Sequence, residues 1–240
     1  MNVSARGSVI VTGSAGGLGQ CICLQLAGHG WDILPGWHRA EESIAPLTAR
    51  LASLDIQVRP LKLDMNDTAG LGAAVDITPP SALNTLIINA AMRPRIAPIG
   101  RTDLSEMQSQ LQVSALGPFE LIRAVWRRHF QAQHMGHLIA ISTVGVEPPM
   151  APRMSGYIVG KAALEAVVQC AMAEYGSAGL AATIIRPNYI DTPLLQSFEP
   201  RYIEMMREKG LVSSPEQVAA AVADAAIHPP PRGDCVIRKA

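Results

Sequence analysis

Apolar residues along the chain come in short runs separated by glycine or proline turns and by stretches with helical periodicity. Ser8-Val9-Ile10-Val11 reads as a strand. It breaks at Thr12-Gly13-Ser14-Ala15-Gly16-Gly17-Leu18-Gly19, after which Leu18, Ile22 and Leu26 recur on one helical face. Trp31 to Gly36 predicts a second strand, made imperfect by Pro35. A helix over 41–54 and a third strand over 57–63, ending at Asp64, come next. A helix beginning near Asn66-Asp67 and a buried fourth strand over 83–88 follow, the strand running into Asn89-Ala90-Ala91. The stretch from Thr102 to His129 reads as a long helix, apolar on one side and interrupted at Gly117-Pro118. His137 to Ile141 is a fifth strand closed by Ser142, and a proline loop leads to a helix carrying Tyr157 and running to about Tyr175. Residues 180–186 make a sixth strand, 194–212 hold two helical turns expected to form a lid, and 215–227 a last helix capped by Ser214. A brief apolar segment, Cys235 to Ile237, ends the pattern.

Alternation of strands with helices is the signature of a layered α/β domain. At 240 residues with 48% apolar content, one such domain with a large core is the simplest reading. Lysine plus arginine equals aspartate plus glutamate, 20 each, so net charge points to neither nucleic acid nor an anionic membrane. The four cysteines lack metal-ligand spacing and read as reduced packing residues, so no metal is expected and a cytoplasmic location fits. The first residues lack a leader pattern, and no run reaches the ~18 apolar residues of a membrane span.

Strand, glycine turn and helix in succession suit a phosphate site. Gly13 allows the sharp turn, Gly17 lets backbone approach a diphosphate, and Gly19 lets the helix pack closely, while the helix N-terminus offers N–H groups to the anion. An ordinary loop between strand and helix is the plain alternative. The second strand ends in Trp37-His38-Arg39, with no acid before Glu41. An acid there would grip the ribose hydroxyls of NAD, whereas a base accommodates the 2′-phosphate of NADP. NADP(H) is therefore preferred, with Arg39, His38 and Ser14 on the phosphate, and NAD(H) the alternative; Arg39 as a solvated loop charge is the competing reading. Asp64 either meets the adenine, beside Met65, or caps the helix after it.

Tyr157 and Lys161 are four apart, one helical turn, so an ammonium sits below a phenol. A phenol of ordinary pKa about 10 is thereby expected to ionise more easily and to exchange a proton near neutral pH. The same spacing arises on many amphipathic helices by chance, so its context decides.

With the glycine turn, Asn89-Ala90-Ala91, Ser142, Tyr157, Lys161 and Arg186-Pro187 all in order, the chain resembles the short-chain dehydrogenase/reductase family over nearly its whole length. Thr12, Gly13, Gly17 and Gly19 match its Thr-Gly-x-x-x-Gly-x-Gly pattern, Tyr157 and Lys161 its Tyr-x-x-x-Lys, and Ser142, three before Gly145, its catalytic serine. The resemblance implies a single Rossmann-type domain over 1–240, a doubly wound parallel sheet of about seven strands with helices on both faces. It implies a nicotinamide cofactor and hydride transfer between an alcohol and a carbonyl, an oxidoreductase acting on CH–OH groups. Tyr157 is then the general acid and base, Lys161 its modulator, and Ser142 a donor to the substrate oxygen. Leu18, Asn89, Ala90 and Ala91 would line the cofactor site, with Thr192 at the nicotinamide carboxamide and Pro187 and Ile190 packed around the ring.

Four departures stand out. Ser114 occupies the position of an asparagine that supports a water chain to the lysine; a backbone carbonyl could serve instead. Asn188 replaces a glycine after Pro187. Ser142 and Tyr157 are fifteen apart (157 − 142), longer than expected, so the proline loop is expected to bulge into the substrate entrance. The tail lacks the glycine-rich ending that serves tetramers, although a homodimer or homotetramer is implied. The substrate is a small carbonyl or alcohol. Arg93, Arg95, Arg153 and Arg201 near one opening suggest an anionic one, solvated arginines being the alternative, and Met92, Met150, Met154 and the lid methionines Met205 and Met206 suggest an adaptable apolar pocket, ordinary core filling being the alternative. Two other readings compete: a cofactor-binding regulator or scaffold with little catalysis, and a nucleotide-sugar epimerase or dehydratase, for which 240 residues leave little room.

Overall fold

A computed structural model describes residues 7–39, 41–76 and 83–240. The first six residues, where the leader reading applied, lie outside them.

Among the described residues a seven-stranded parallel sheet forms the middle layer. Its strands are β1 (Ser8–Val11), β2 (Asp32–Trp37), β3 (Leu61–Lys62), β4 (Leu83–Ile88), β5 (Gly136–Ile141), β6 (Leu180–Arg186) and, last in the chain, β9 (Cys235–Lys239). A separate pair, β7 (Tyr189–Ile190) and β8 (Val212–Ser213), lies beyond β6. The spatial order is β3-β2-β1-β4-β5-β6-β9. The chain reverses direction of growth between β1 and β4, and in such sheets a crevice opens at that point beyond the carboxyl ends of the strands.

The central strands are mostly apolar because helices cover both faces, and two of the buried polar exceptions, His137 of β5 and Thr183 of β6, bond each other at 3.0 Å. In β5, Leu138 and Ala140 join one core with Leu121 and Val125 of α5 (Gly117–Val125) and Leu164 and Val168 of α7 (Ser155–Tyr175). Ile139 and Ile141 join the opposite core with Ile22 and Leu26 of α1 (Gly17–Gly28) and Val218 and Val222 of α9 (Pro215–Ile227). Each such fully buried side chain contributes about 1.5–3 kcal/mol relative to exposure.

Two proline positions shape the layer. Successive residues of a strand direct their N–H and C=O groups to alternate neighbours. Ile33 bonds Gln57 and Arg59 on the β3 side, so Pro35, two residues on, directs its missing donor to that same side. There the β3 pairing is interrupted, between the isolated Ile33–Val58 bridge and the Gly36–Leu61 pair. The third strand is accordingly two residues long rather than seven.

Pro118 lies in a helix that continues where the sequence suggested a break: α4 (Leu104–Leu111), a π segment over Gln112–Leu116, then α5. A proline at 118 cannot donate to the carbonyl of Ser114, four residues earlier, and the wider turn accommodates it. The predicted helix over 41–54 is a short 3-10 turn, Glu41–Ser43, followed by α2 (Ala45–Ala52). Asp67, not Asp64, serves the helix α3 (Thr68–Asp76), its carboxylate accepting the Gly70 N–H. Ser214 caps α9 in a reciprocal capping box with Gln217, as its position predicted.

Candidate active site

The glycine turn after β1 is built so that no side chain obstructs it. Gly13 has φ +66°, and a Cβ there would fall 2.9 Å from the Ala90 Cα. A Cβ on Gly19 would fall 2.3 Å from the Gly13 carbonyl oxygen, so the first turn of α1 rests on the loop itself. No side chain caps α1, so its N-terminal N–H groups face the crevice with the positive end of the helix dipole behind them. The Asn89 amide donates to the carbonyl oxygens of Thr12 and Gly13, and the N–H groups of Asn89 and Ala90 donate to the Thr12 hydroxyl at 2.9 Å. Asn89 thus braces the turn against the end of β4.

The crevice has a volume of about 1220 Å³ and runs from this turn across the ends of β4, β5 and β6. A site above the 300–1,000 Å³ of common ligand pockets has room for a dinucleotide and a substrate. Gly13, Gly17, Leu18, Gly19, His38, Arg39, Asp64, Met65, Asn89, Ala90, Ala91, Pro187, Ile190 and Thr192 all line it. Ser14 does not. It is fully buried, its hydroxyl donates to the Val11 carbonyl at 2.7 Å and it receives the Cys23 thiol, so a phosphate cannot reach it. Burial works to raise the Asp64 pKa, but hydrogen bonds from the Asn66 N–H and amide and the nearby His38 and Lys62 hold it below the usual carboxylate range.

Tyr157 and Lys161 project from one face of α7 into the middle of the crevice wall. Lys161 is 1% exposed, its ammonium donates to the Ile141 carbonyl at 2.6 Å and it lies 5.8 Å from the centre of the Tyr157 ring. Burial lowers the Lys161 pKa to about 8, against the opposing pull of Glu165 one turn on. Burial also raises the Tyr157 pKa to about 12. The sequence suggested the opposite shift for the phenol. The difference is physical: apolar Val146, Met154 and Ile158 pack with Tyr157, and their low polarity outweighs an ammonium turned onto a backbone carbonyl.

Ser142 and Thr143 follow β5 but face different partners. The Ser142 hydroxyl is 1% exposed and donates to the Glu165 carboxylate. Glu165 in turn receives Nε and Nη2 of Arg186. Thr143 is half-buried in the crevice wall, and its Oγ1 accepts the Gly145 N–H at 3.2 Å. Its hydroxyl proton has no acceptor among the described residues. Sequence reading passed over Thr143, although its separation from Tyr157, fourteen (157 − 143), is shorter than the fifteen that made Ser142 look misplaced. Ser114 sits on the π segment, 1% exposed, its hydroxyl without a partner among the described residues. A Cβ on Gly160, beside Lys161, would fall 3.1 Å from the Ser114 Cβ, so only glycine lets the two helices meet there.

The outer crevice is narrower in chemistry than expected. Of the four arginines only Arg93 lines it, bonded to Gln196; Arg95 pairs with Asp103. The proline loop reaches it through Ala151 and Met154, while residues 148–150 stay exposed outside. From the expected lid, Leu194, Leu195 and Phe198 contribute walls, whereas Met206 on α8 (Pro200–Glu208) is buried beneath and Met205 faces solvent. Among the described residues no group of His, Cys, Asp and Glu is arranged to hold a metal, and no helix is long and apolar enough to cross a membrane.

The profile of the short chain dehydrogenase family matches residues 8–202. A short-chain dehydrogenase/reductase of Hericium erinaceus is 24% identical over 229 residues, covering 92% of this chain and 90% of its own. L-xylulose reductase of Caenorhabditis elegans is 26% identical over 186 residues, covering 78% and 72%. A crystal structure from Beutenbergia cavernae, assigned as an NAD(P)-dependent gluconate 5-dehydrogenase and holding NADP at low occupancy, superposes with a TM-score of 0.84 at 17% identity, over 97% of this chain and 95% of that one. At that identity the likeness speaks to the fold alone.

Proposed function

The chain belongs to the short-chain dehydrogenase family, and from that premise we propose that it is an NADP(H)-preferring carbonyl reductase and alcohol dehydrogenase, EC 1.1.1.-, with Tyr157 as its proton donor and acceptor. Oxidation and reduction of alcohol and carbonyl groups with a nicotinamide cofactor is the chemistry of the family. The observation that carries the finer reading is a phenol in the crevice wall, one helical turn above a buried ammonium, facing the same opening as an unobstructed glycine turn.

These residues fit a nicotinamide dinucleotide. Gly13, Gly17 and Gly19 and the bare N-terminus of α1 would hold the diphosphate, Asp64 and Met65 the adenine side, and Asn89, Ala90, Ala91, Pro187, Ile190 and Thr192 the nicotinamide side. Arg39 and His38 line the crevice with no carboxylate from the end of β2 beside them, which supports a 2′-phosphate there. When bound, the nicotinamide supplies or takes up the hydride.

The protein's own part is the proton. With a pKa of about 12, Tyr157 holds its proton at neutral pH and gives it to a carbonyl oxygen as charge builds there in reduction. Lys161, still cationic below pH 8, stabilises the phenolate left behind. A second donor at that oxygen would strengthen its hold in the transition state, and Thr143 supports that role better than Ser142, whose proton is committed to Glu165. An anionic substituent on the substrate has support only at Arg93. A homo-oligomer in the cytosol completes the proposal, supported by Leu116 and Phe119, each more than half exposed along one helix.

The test is cofactor consumption against ketones and alcohols, with Tyr157→Phe as control. The variant should lose most turnover while binding NADPH as the parent does; equal turnover would refute the assignment. Arg39→Ala should weaken NADPH binding by about 1.5–3 kcal/mol, the worth of a charged hydrogen bond, and leave NADH untouched. A parent that prefers NADH would defeat the cofactor assignment.

A further inference from the structure

The chain holds ten aromatic residues, 3 Phe, 4 Tyr and 3 Trp, and three of them gather over the outer crevice. Tyr189 meets Phe198 edge to face at 5.5 Å, and Phe198 stacks on Tyr202 at 5.8 Å with 13° between planes. The hydroxyls of Tyr189 and Tyr202 bond each other at 2.7 Å. The polar end of Tyr189 is thereby satisfied within the cluster, and what Tyr189 and Phe198 offer the crevice is ring surface. Phe198 also packs on the small apolar cluster of Val146, Met154 and Ile158, against which Tyr157 packs as well, so the apolar wall continues to the one beside the reacting phenol.

Polar groups are sparse on this side. The only carboxylate lining the crevice among the described residues is Asp64, which lies after β3, at the end occupied by His38 and Arg39. Thr143 and Tyr157 are needed by the reacting oxygen. That leaves little beyond Asn188, the hydroxyls of Ser109, Ser142 and Thr192, which already donate to Ser105, Glu165 and Ile190, and Arg93, which is held by Gln196. A polyhydroxylated chain entering here would give up water from several hydroxyls without gaining partners.

Resting on the reading of this crevice as a hydride-transfer site, we propose that the substrate is an apolar ring-bearing ketone or the corresponding secondary alcohol, held by the Tyr189–Phe198 wall, and that open-chain sugars are excluded. Discrimination comes from desolvation: the wall accepts a ring and leaves a polyol's hydroxyls unpaired.

The experiment compares tetralone and decalone with a ketopentose, measuring NADPH oxidation and, separately, calorimetric binding to the protein loaded with oxidised cofactor. The ring ketones should show kcat/KM about a hundredfold above the ketopentose, the order of discrimination an apolar pocket reaches against an added hydroxyl. Phe198→Ala should raise KM for tetralone about tenfold and leave kcat nearly unchanged, with Phe198→Leu restoring most of the loss because it returns apolar volume. Equal or better turnover of the ketopentose would overturn the substrate class while leaving hydride transfer intact. Equal effects of Phe198→Ala on both substrates would overturn the role of the wall. Ring ketones that bind but are never reduced would support the substrate class and defeat the proposed reaction, and failure to bind them would overturn the inference outright.

Discussion

At the scale of single residues, what separates Ser142 from its neighbour Thr143 is where each hydroxyl proton goes. Ser142 gives its proton to Glu165, a carboxylate that Arg186 holds in place. Thr143 receives the Gly145 N–H and keeps its own proton for the crevice. Thr143→Ala should therefore lower kcat about a hundredfold, the lower end of the cost of removing one prepared donor from a developing oxyanion, and Thr143→Ser should recover most of it. Ser142→Ala should act on stability instead, costing about 1 kcal/mol for a lost hydrogen bond with kcat retained. Steady-state kinetics beside thermal unfolding separates the two, and a larger kcat loss at Ser142 would return the donor role to it. The Tyr157 and Lys161 pair was legible because four residues along a helix fix which side chains stack. The proposed donor was harder to read: a serine three before Gly145 fitted the family pattern, and only the partners in the folded chain, Glu165 for Ser142 and the Gly145 N–H for Thr143, separate the two hydroxyls.

Among the elements, β1, β4 and β6 were legible to the residue, since a strand buried on both faces is a mostly apolar run bounded by turn residues. The strand β3 and the helix through Pro118 were not. In both, a proline removes a donor, and only the neighbouring segment decides whether the element ends or adjusts. At Pro118 the adjustment is the π segment carrying Ser114. The buried Ser114 hydroxyl has no partner among the described residues, and leaving such a group unpaired costs about 1–3 kcal/mol. The Ser114 carbonyl is the one Pro118 cannot serve, and a proton relay to Lys161 is expected to use that backbone oxygen rather than the side chain. Ser114→Ala should then stabilise the fold by about 1 kcal/mol, with kcat retained. A fall in kcat at unchanged stability would assign the relay to the hydroxyl.

Across the whole molecule, the glycine turn is announced by consecutive residues, Thr12 to Gly19, whereas the wall behind Ser142 is held by partners far apart in the chain that no short pattern marks. Arg186 at the end of β6 bonds Glu165, 21 residues away on α7, and Glu147, 39 away after β5; Glu147 also receives Lys239 of β9, 92 away. No local pattern could announce these pairs, and they fasten the last strand to the wall behind Ser142. Arg186 and Glu165 are only 17% and 13% exposed, so removing one partner strands a charge. Arg186→Met should cost about 3 kcal/mol, the low end for a broken buried pair because both groups keep some contact with water. Lys239, 68% exposed, should matter little: Lys239→Ala should change stability by less than about 1 kcal/mol. The double variant Arg186→Met with Glu165→Met should recover much of the single loss, since it removes the stranded carboxylate together with its partner. Urea midpoints for the parent, Arg186→Met, Glu165→Met and the double variant decide it. If the double variant is as unstable as the sum of the single variants, the two groups act independently, and the joint between β6 and α7 rests on packing rather than on this ion pair.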